Sequence, residues 1–373
     1  MMRMVYHHPG EIVENGTSGS QVRPYRMLQA FRQIGCQVDV VAGNLGKRKL
    51  AANKVLDKIK NGTKYDFLYS ENRTIPFAMV ESHRLPLHPF MDHLFLHKCH
   101  RSGIPLGLFY RDVYWRDKAY REMASWWMRW ITVPLYWYDW LWHGLYIDHM
   151  FIPSMTMKQA LPRLYKSLPT TALPPGVTEK ARASRETPLR PRSRLRLLYV
   201  GGVMPPTYNL APLLLSVQNL DVDLTICCRP AEWQKSKSVY QSLLQGNCQI
   251  VHKSGDELGA LYKHSDAAAI VLEATDYRAF AVPVKLFEAL SYGVPIIASA
   301  GTEAARIVKE EGFGWTVDGA GDIRQLLQVL QGDPYKLLAV RDRMTEKIPL
   351  NTWDARARRV IDIMTRGSSA ESL

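Results

Sequence analysis

The sequence predicts an α/β protein built from two Rossmann-like domains whose parallel sheets face a central cleft. A chain of 373 residues is longer than a domain with one hydrophobic core usually is, so two domains are expected. Strand and helix patterns alternate through both halves of the chain, which is typical of βαβ units and parallel sheets. A polar, arginine-rich stretch with Pro188 and Pro191 lies between the halves and indicates a linker.

Short apolar runs predict six strands in the first half: Met4–His7, Val38–Ala42, Phe67–Tyr69, Leu106–Tyr110, His149–Ile152 and Thr171–Leu173. The runs are apolar throughout, as expected for strands covered on both faces of a sheet. Residues at helical spacing predict helices between them, among them Arg23–Ile34 and Met155–Tyr165. In such sheets the carboxyl ends of the strands form the binding edge.

The second half predicts strands at Leu195–Val200, Val222–Cys227, Gln249–His252, Ala267–Leu272, Pro295–Ala298 and Gly314–Val317, followed by a terminal helix at Thr352–Thr365. The expected boundaries are a first domain over residues 1–175, a linker over 176–195, a second domain over 196–350, and a C-terminal helix with a frayed tail over 351–373. The terminal helix could pack back on the N-terminal domain.

The composition narrows the class of protein. No apolar run approaches the roughly twenty residues of a membrane-spanning helix, and the N-terminus lacks the apolar core of a signal peptide, so a cytoplasmic protein is expected. The five cysteines show no paired metal-ligand spacing, which predicts free thiols.

Positive charge and tryptophan are concentrated in the first half. Residues 1–170 carry 23 Lys and Arg against 13 Asp and Glu, whereas residues 171–373 carry 25 against 22. Seven of the ten tryptophans lie between Trp115 and Trp142, with Arg121 and Arg129 among them. Tryptophan favours membrane interfaces, so a peripheral contact with anionic membrane is expected. A buried core helix or a dimer contact is the alternative.

The most informative segment of the chain covers residues 282–299. Pro283 can begin a helix, Leu286 and Leu290 give it a buried face, and Gly293 ends it before an apolar strand. Lys285 and Glu288 are three residues apart and so lie on one side of this helix. A helix N-terminus with a lysine suits phosphate, and a nearby carboxylate suits sugar hydroxyls.

These residues carry a family resemblance. The chain resembles GT-B glycosyltransferases, closest to the GT4 group of bacterial polysaccharide enzymes, in the block from Pro283 to Pro295 and in the glycine turn Tyr199-Val200-Gly201-Gly202. The resemblance implies that the second domain binds a nucleoside diphosphate sugar and the first domain binds the acceptor. It also implies a reaction without a bound metal. Retention of configuration is the stereochemistry that the family favours.

The resemblance assigns a donor site. Glu288 would bind the ribose hydroxyls and Lys285 the diphosphate, with Gly201, Gly202, Arg229, Pro283 and Val284 completing the donor-binding set. Two positions depart from the family pattern. Phe280 stands where many members have a second glutamate, and the loop 203–209 lacks the usual Arg and Lys. The diphosphate charge is therefore expected to meet Lys285, with Arg229 or Arg278 as additions.

The first domain offers candidates for the chemistry. Arg111 and Asp112 follow the strand from Leu106 and are expected to face the cleft, with Asp112 as general base and Arg111 opposite an anionic group. A structural salt bridge or a turn is the alternative, and an Asp112 base would fit inversion better than retention. His7 and His8, after the first strand, could also line the cleft.

The loop from Asn15 to Ser20 precedes the first predicted helix. Its glycines allow close approach to a ligand, and Ser18 or Ser20 can cap the helix. The predicted acceptor or phosphate loop comprises Gly16, Ser18, Gly19 and Arg23. A plain capping turn is the alternative.

The sequence therefore predicts a glycosyltransferase that acts on a lipid-linked or polysaccharide acceptor in bacterial surface glycan synthesis, at the inner face of the cytoplasmic membrane. The alternatives are a sugar-nucleotide epimerase and a non-catalytic sugar-nucleotide-binding partner. Nucleic-acid binding is disfavoured because the basic residues are dispersed.

Overall fold

A computed structural model of the chain describes residues 1–14, 16, 19–81, 83–178 and 194–366. The chain divides into two compact units. The first comprises residues 1–174 together with residues from 353 onward, and the second comprises residues 175–352. Much of the predicted linker, residues 179–193, and the predicted frayed tail from residue 367 lie outside the described residues.

The first unit is an α/β layer structure around a parallel sheet. Its strands are β1 (Arg3–His7), β2 (Gln37–Val41), β3 (Phe67–Glu71), β4 (Leu106–Phe109), β5 (His149–Ile152) and β6 (Thr170–Ala172). Its helices are α1 (Gly19–Gln33), α2 (Leu45–Lys60), α3 (Met91–Arg101), α4 (Lys118–Met123), α5 (Trp126–Tyr146) and α6 (Met157–Ala160). The sheet order is β2-β1-β3-β4-β5-β6, so β1, β3 and β4 are central.

The second unit repeats this architecture. Its strands are β7 (Leu195–Val200), β8 (Val222–Cys227), β9 (Cys248–Val251), β10 (Ala267–Ile270), β11 (Ile296–Ser299) and β12 (Gly314–Val317). Its helices are α7 (Ala211–Ser216), α8 (Pro230–Tyr240), α9 (Asp256–Lys263), α10 (Val284–Ser291), α11 (Glu303–Glu311), α12 (Gly319–Gly332) and α13 (Tyr335–Lys347). The sheet is parallel, in the order β12-β11-β10-β7-β8-β9.

The last helix, α14 (Trp353–Arg366), belongs to the first unit. Trp353, Ala357, Val360 and Met364 are buried in one core with residues of α1 and of the central strands. A side chain at Gly107 of β4 would meet the sulfur of Met364 at 2.9 Å, so the helix lies directly on the sheet. The amphipathic pattern of α14 therefore reflects burial against α1 and β4.

All twelve predicted strands are present, with ends displaced by at most two residues. Two helix predictions were wrong in their extent. The first helix begins at Gly19, so Ser20 lies inside its first turn and does not cap it. The predicted helix Met155–Tyr165 is only the four residues of α6 and a separate 3₁₀ turn from Arg163, because Pro162 interrupts the helical hydrogen bonding. The five cysteines are free, as predicted.

Candidate functional site

The start of α10 lies at the carboxyl edge of the second sheet. The helix begins at Val284, and Pro283 precedes it in an extended conformation with φ −74° and ψ 131°. A proline at this boundary fixes φ and removes a backbone donor that the helix does not need. The N–H of Leu286 donates to the carbonyl of Pro283 at 3.1 Å, and the positive end of the helix dipole at this terminus favours an anion.

Lys285 and Glu288 form an ion pair on this helix. Lys285 Nζ lies 2.7 Å from Glu288 Oε2, and both side chains are about one-third exposed. Tyr262 Oη donates to the same carboxylate at 3.4 Å and stacks on Tyr292 with ring centroids 5.3 Å apart. Burial, and then the charge of Glu288, raises the pKa of Tyr262 well above its usual value, so Tyr262 stays a neutral donor. The predicted alignment of the lysine and glutamate on one side is present.

Gly201 and Gly202 follow the carboxyl end of β7. A Cβ at Gly202 would stand 2.5 Å from the ring of Tyr208, and one at Gly201 would stand 3.0 Å from Tyr199 Oη. Tyr199 Oη also donates to the carbonyl of Gly202 at 2.6 Å. The packing of the two tyrosines therefore already requires glycines in this turn, whether or not a ligand approaches it.

The two arginines considered for the diphosphate have different surroundings. Arg229 precedes α8, is largely exposed and pairs with Glu232 at 2.7 Å. Arg278 donates to the carbonyls of Glu273 and Thr207, and its guanidinium lies 5.5 Å from the ring centroid of Tyr208. Arg278 is thus fixed beside the loop 203–209, which itself lacks basic residues. Its position in the sequence does not indicate that it supplies positive charge to this loop.

Phe280 is buried and packs edge-to-face against Tyr277. An apolar ring at this position cannot bond to sugar hydroxyls. The departure from the family pattern is therefore a packed hydrophobic contact in the loop before α10.

Arg111 and Asp112 follow β4 at the carboxyl edge of the first sheet. The backbone N–H of Arg111 donates to Asn72 Oδ1 at 2.8 Å, and Arg111 Nη2 donates to the carbonyl of Ser20 at 3.4 Å. Asp112 Oδ1 accepts from the backbone N–H of Tyr114 at 3.0 Å. Burial raises the pKa of Asp112 above its ordinary value, which favours a carboxylate that takes up a proton. Asp112 thus forms the predicted turn bond, and this bond does not exclude its predicted role as a general base.

The predicted phosphate loop is only partly described. Ser18 lies outside the described residues. Gly19 is the first residue of α1, and a Cβ at Gly16 would collide with Gln21, so the glycine is needed for the approach to the helix. Arg23 is buried, with its guanidinium 3.5 Å from the ring centroid of Phe109 and its Nε 3.3 Å from Glu71 Oε1. Its charge is balanced inside the unit, and a contact with phosphate stays a prediction.

The second unit matches a family model. Residues 198–348 match the model of the glucosyltransferase 3-like C-terminal domain. The second unit carries a glycosyltransferase domain. No curated protein sequence matches the chain.

Solved glycosyltransferase structures share the fold of the whole chain. Sucrose-phosphate synthase from Thermosynechococcus elongatus aligns with a TM-score of 0.67 at 15% identity, over 99% of this chain and 100% of that one. Anabaena HepE, solved with UDP and glucose, gives 0.61 at 11%, over 98% and 100%. WaaG, a glycosyltransferase involved in lipopolysaccharide biosynthesis, gives 0.58 at 13%, over 97% and 99%. The predicted GT-B fold is confirmed by these structures, and the predicted glycosyltransferase domain is confirmed by the family match over residues 198–348.

Sequence reasoning missed one charged residue at the edge of the first sheet. Glu71 is fully buried at the end of β3 and accepts from Tyr69 Oη at 2.9 Å as well as pairing with Arg23. The predicted strand ended at Tyr69, so Glu71 was not considered as a strand-end residue. The consecutive polar residues Ser70-Glu71-Asn72-Arg73, directly after the apolar run, are the signal that points to it.

Helix α5 of the first unit has one buried and one exposed face. The buried face includes Tyr136, Trp140, His143 and Tyr146. Large apolar side chains of the opposite face are exposed: Trp126, Trp127, Met128, Trp130, Ile131, Trp137, Leu141 and Leu145. We call this set the α5 apolar face. The alternative of a buried core helix is therefore correct for one face of α5 and not for the other.

Of the helices in the described part of the chain, none combines the length and apolar character of a membrane span. The described residues contain no group of three or more His, Cys, Asp or Glu arranged to hold a metal ion. A reaction without a bound metal stays a prediction.

Proposed function

We propose that this glycosyltransferase transfers a sugar from a nucleoside diphosphate sugar to a lipid-linked or polysaccharide acceptor in the synthesis of a bacterial surface glycan. The observation that carries the proposal is the Lys285–Glu288 pair at the start of α10, inside the matched domain. Lys285 and the N-terminus of α10 would hold the diphosphate, and Glu288 would hold the ribose.

A uridine nucleotide is the favoured donor base, because the structurally similar HepE was solved with UDP and glucose. Arg278 and Arg229 would add positive charge near the diphosphate. Because Phe280 replaces a carboxylate that would bind sugar hydroxyls, recognition of the transferred sugar would rest on other groups. This arrangement supports a GT4-like enzyme with a modified sugar subsite.

In the reaction, an acceptor oxygen would form a bond to the anomeric carbon of the donor sugar while the bond from that carbon to the diphosphate oxygen breaks. The diphosphate leaves with the bonding electrons and would be stabilised by Lys285, without a bound metal. Asp112 would take the acceptor proton, and Arg111 would balance an anionic group nearby. Retention is expected from the family resemblance, whereas direct deprotonation by Asp112 would give inversion. The anomeric configuration of the product decides between them.

The α5 apolar face supports a peripheral position at the cytoplasmic membrane. Monomeric proteins seldom expose large apolar patches, and tryptophan is the residue type that favours the lipid interface. A membrane contact would bring the enzyme to a lipid-linked acceptor at the inner face of the membrane.

The test is a transfer assay with purified protein, a panel of UDP- and GDP-sugars, and membrane vesicles that contain lipid-linked glycans. Release of nucleoside diphosphate that depends on the acceptor supports transfer. Conversion of the nucleotide sugar to an isomer without acceptor would instead identify an epimerase. Binding of nucleotide sugar with no turnover under any condition would identify a non-catalytic binding partner.

A further inference from the structure

Two adjacent histidines at the end of β1 have different bonding. The ring of His7 is satisfied on both sides, by Ser70 Oγ at 2.8 Å and Asp92 Oδ1 at 3.0 Å. His8 is also buried, with 4% of its surface exposed, but only Nδ1 is bonded, to the carbonyl of Gly10 at 3.0 Å. Among the described residues, the buried Nε2 of His8 has no hydrogen-bond partner. An unpaired buried polar group destabilises the fold, so a ligand-binding role would explain its presence.

The bond to Gly10 fixes the state of His8. A carbonyl only accepts, so Nδ1 carries the proton, and Nε2 offers a lone pair when the ring is neutral. Burial, together with the nearby charges of Arg111 and Arg73, lowers the pKa of His8 to about 3. The ring is therefore neutral at pH 7, and the group that satisfies Nε2 must be a donor such as a hydroxyl.

Arg73 places positive charge beside this histidine. Arg73 Nη1 lies 3.0 Å, and His8 Cε1 3.5 Å, from the point where a Cβ on Gly10 would stand, so both groups adjoin the bare α-carbon of Gly10. Arg73 follows β3, and its own contact is a long bond of 3.3 Å from Nη1 to the carbonyl of Val80. Burial, and then Arg84, Arg111 and Arg48, lowers the pKa of Arg73, which shows that several cations share this region.

The carboxylates near this cluster are largely engaged. Asp92 Oδ1 accepts from Arg48 Nε at 2.8 Å, and Glu81 Oε1 accepts from Arg48 Nη1 at 3.1 Å. Arg48 is thus neutralised within the fold, while Arg73 is bonded to a backbone carbonyl. The edge of the sheet beside His8 therefore retains positive charge that an anion can balance.

We propose that His8 and Arg73 bind an anionic carbohydrate, with a sugar hydroxyl donating to His8 Nε2 and a phosphate or carboxylate group on the same sugar pairing with Arg73. The proposal rests on the proposed function, because it makes this sugar the acceptor end of the glycan. Arg73 is an exposed side chain, so its guanidinium can shift away from the α-carbon of Gly10 to admit the ligand beside His8. The acceptor class is thus a sugar phosphate or a uronic acid, both of which carry the same two groups.

The test is calorimetric titration of the full-length protein with four probes: glucose 6-phosphate, glucuronate, glucose and inorganic phosphate. One anionic sugar should bind more tightly than glucose and more tightly than inorganic phosphate. Whichever of glucose 6-phosphate and glucuronate binds more tightly identifies the anionic group. Equal affinity for glucose and both anionic sugars, or no binding of either anionic sugar, would overturn the proposal.

Four variants separate binding from folding. His8→Phe and Arg73→Gln should each weaken the anionic sugar by about tenfold or more, while Arg101→Gln, at an exposed arginine of α3, should leave it unchanged. His8→Phe should keep or raise the melting temperature, because it removes an unpaired buried nitrogen, whereas His7→Phe should lower it. If His8→Phe loses as much stability as His7→Phe, His8 has a structural role and the proposal is refuted.

The donor site supplies a separate readout. His8→Phe and Arg73→Gln should leave the affinity for UDP-glucose unchanged. If the wild-type protein binds no nucleotide sugar, the proposed function fails, yet the titration with anionic sugars still decides whether this site exists.

Discussion

Lys285 Nζ lies 2.7 Å from Glu288 Oε2 in the first turns of α10, so the two side chains assigned to the donor bond to each other. A helical pair at this spacing is worth only a few tenths of a kcal/mol, and both groups remain partly exposed. A diphosphate and a ribose can therefore separate the pair at small cost. Under the proposed function the ion pair would orient both side chains before a donor binds, and Tyr262 donates to the carboxylate from a second direction.

The first prediction concerns Lys285. Lys285→Ala should weaken the binding of a UDP-sugar about ten- to a hundred-fold, because a charge-assisted contact to phosphate is worth roughly 1.5–3 kcal/mol. Titration calorimetry measures the change, after a thermal-shift panel of nucleotide sugars has identified the donor. Lys263→Ala is the matched control, since Lys263 is an exposed lysine in the last turn of α9. Unchanged donor affinity in Lys285→Ala would remove this lysine from the site.

The second prediction concerns Asp112 and turnover. Asp112→Asn should lower turnover at least about a hundred-fold and leave donor affinity intact, because general base catalysis contributes about 10²–10⁴-fold. In the wild-type enzyme the acidic limb of turnover should lie above the ordinary range of an aspartate, since burial raises the pKa of Asp112 and only the ionised form accepts a proton. Near-normal turnover in the variant would leave Asp112 a structural role in the turn to Tyr114.

The pKa of Asp112 also sets a dependence of stability on pH. Because its folded-state pKa is raised, the folded protein binds the proton more tightly than the unfolded chain. Its contribution to stability is therefore lost as pH rises from the ordinary aspartate range through the raised pKa. Asp112→Asn cannot titrate, so its stability relative to wild type should increase with pH across that window. Denaturant unfolding at several pH values measures the difference, and a constant difference would contradict the raised pKa.

The next prediction concerns the α5 apolar face. Flotation with anionic vesicles should show that the wild-type protein binds, while Trp126→Ser, Trp130→Ser and Leu141→Ser together reduce binding by more than about a hundred-fold, since each large apolar side chain is worth roughly 1.5–3 kcal/mol on burial. The control is Val239→Ser, Tyr335→Ser and Leu350→Ser, three exposed apolar residues of the second unit.

The outcome of this flotation separates the two uses of the face. Equal flotation of both triple variants would refute the membrane contact. A wild-type dimer in analytical ultracentrifugation that the α5 variant loses, without any vesicle binding, would instead assign the face to a second copy of the chain.

Strand positions were predictable from the sequence because buried parallel strands are short, apolar and bounded by turn residues. The sequence did not predict which buried polar groups pair with each other. Arg23 resembles a surface ligand for phosphate until Glu71, 48 residues away, is seen to balance its charge inside the unit. The tryptophans of α5 show the same limit, since Trp140 is fully buried and Trp130 is exposed on one helix. Which side of such a helix faces the core depends on the neighbouring elements, and no local pattern states it.

The last prediction concerns α14 and the stability of the first unit. Trp353 is buried in one core with Met27, Leu28 and Phe31 of α1, and its ring lies 5.8 Å from the guanidinium of Arg23. Trp353→Ala should destabilise the first unit by about 3–5 kcal/mol, the usual cost of removing a buried tryptophan. Calorimetric unfolding measures this as a downward shift of the transition that belongs to the first unit. Tyr335→Ala, which truncates an exposed aromatic residue of the second unit, should leave that transition in place. An unshifted transition in Trp353→Ala would mean that α14 adds nothing to the core of the first unit, although it is packed on α1 and β4.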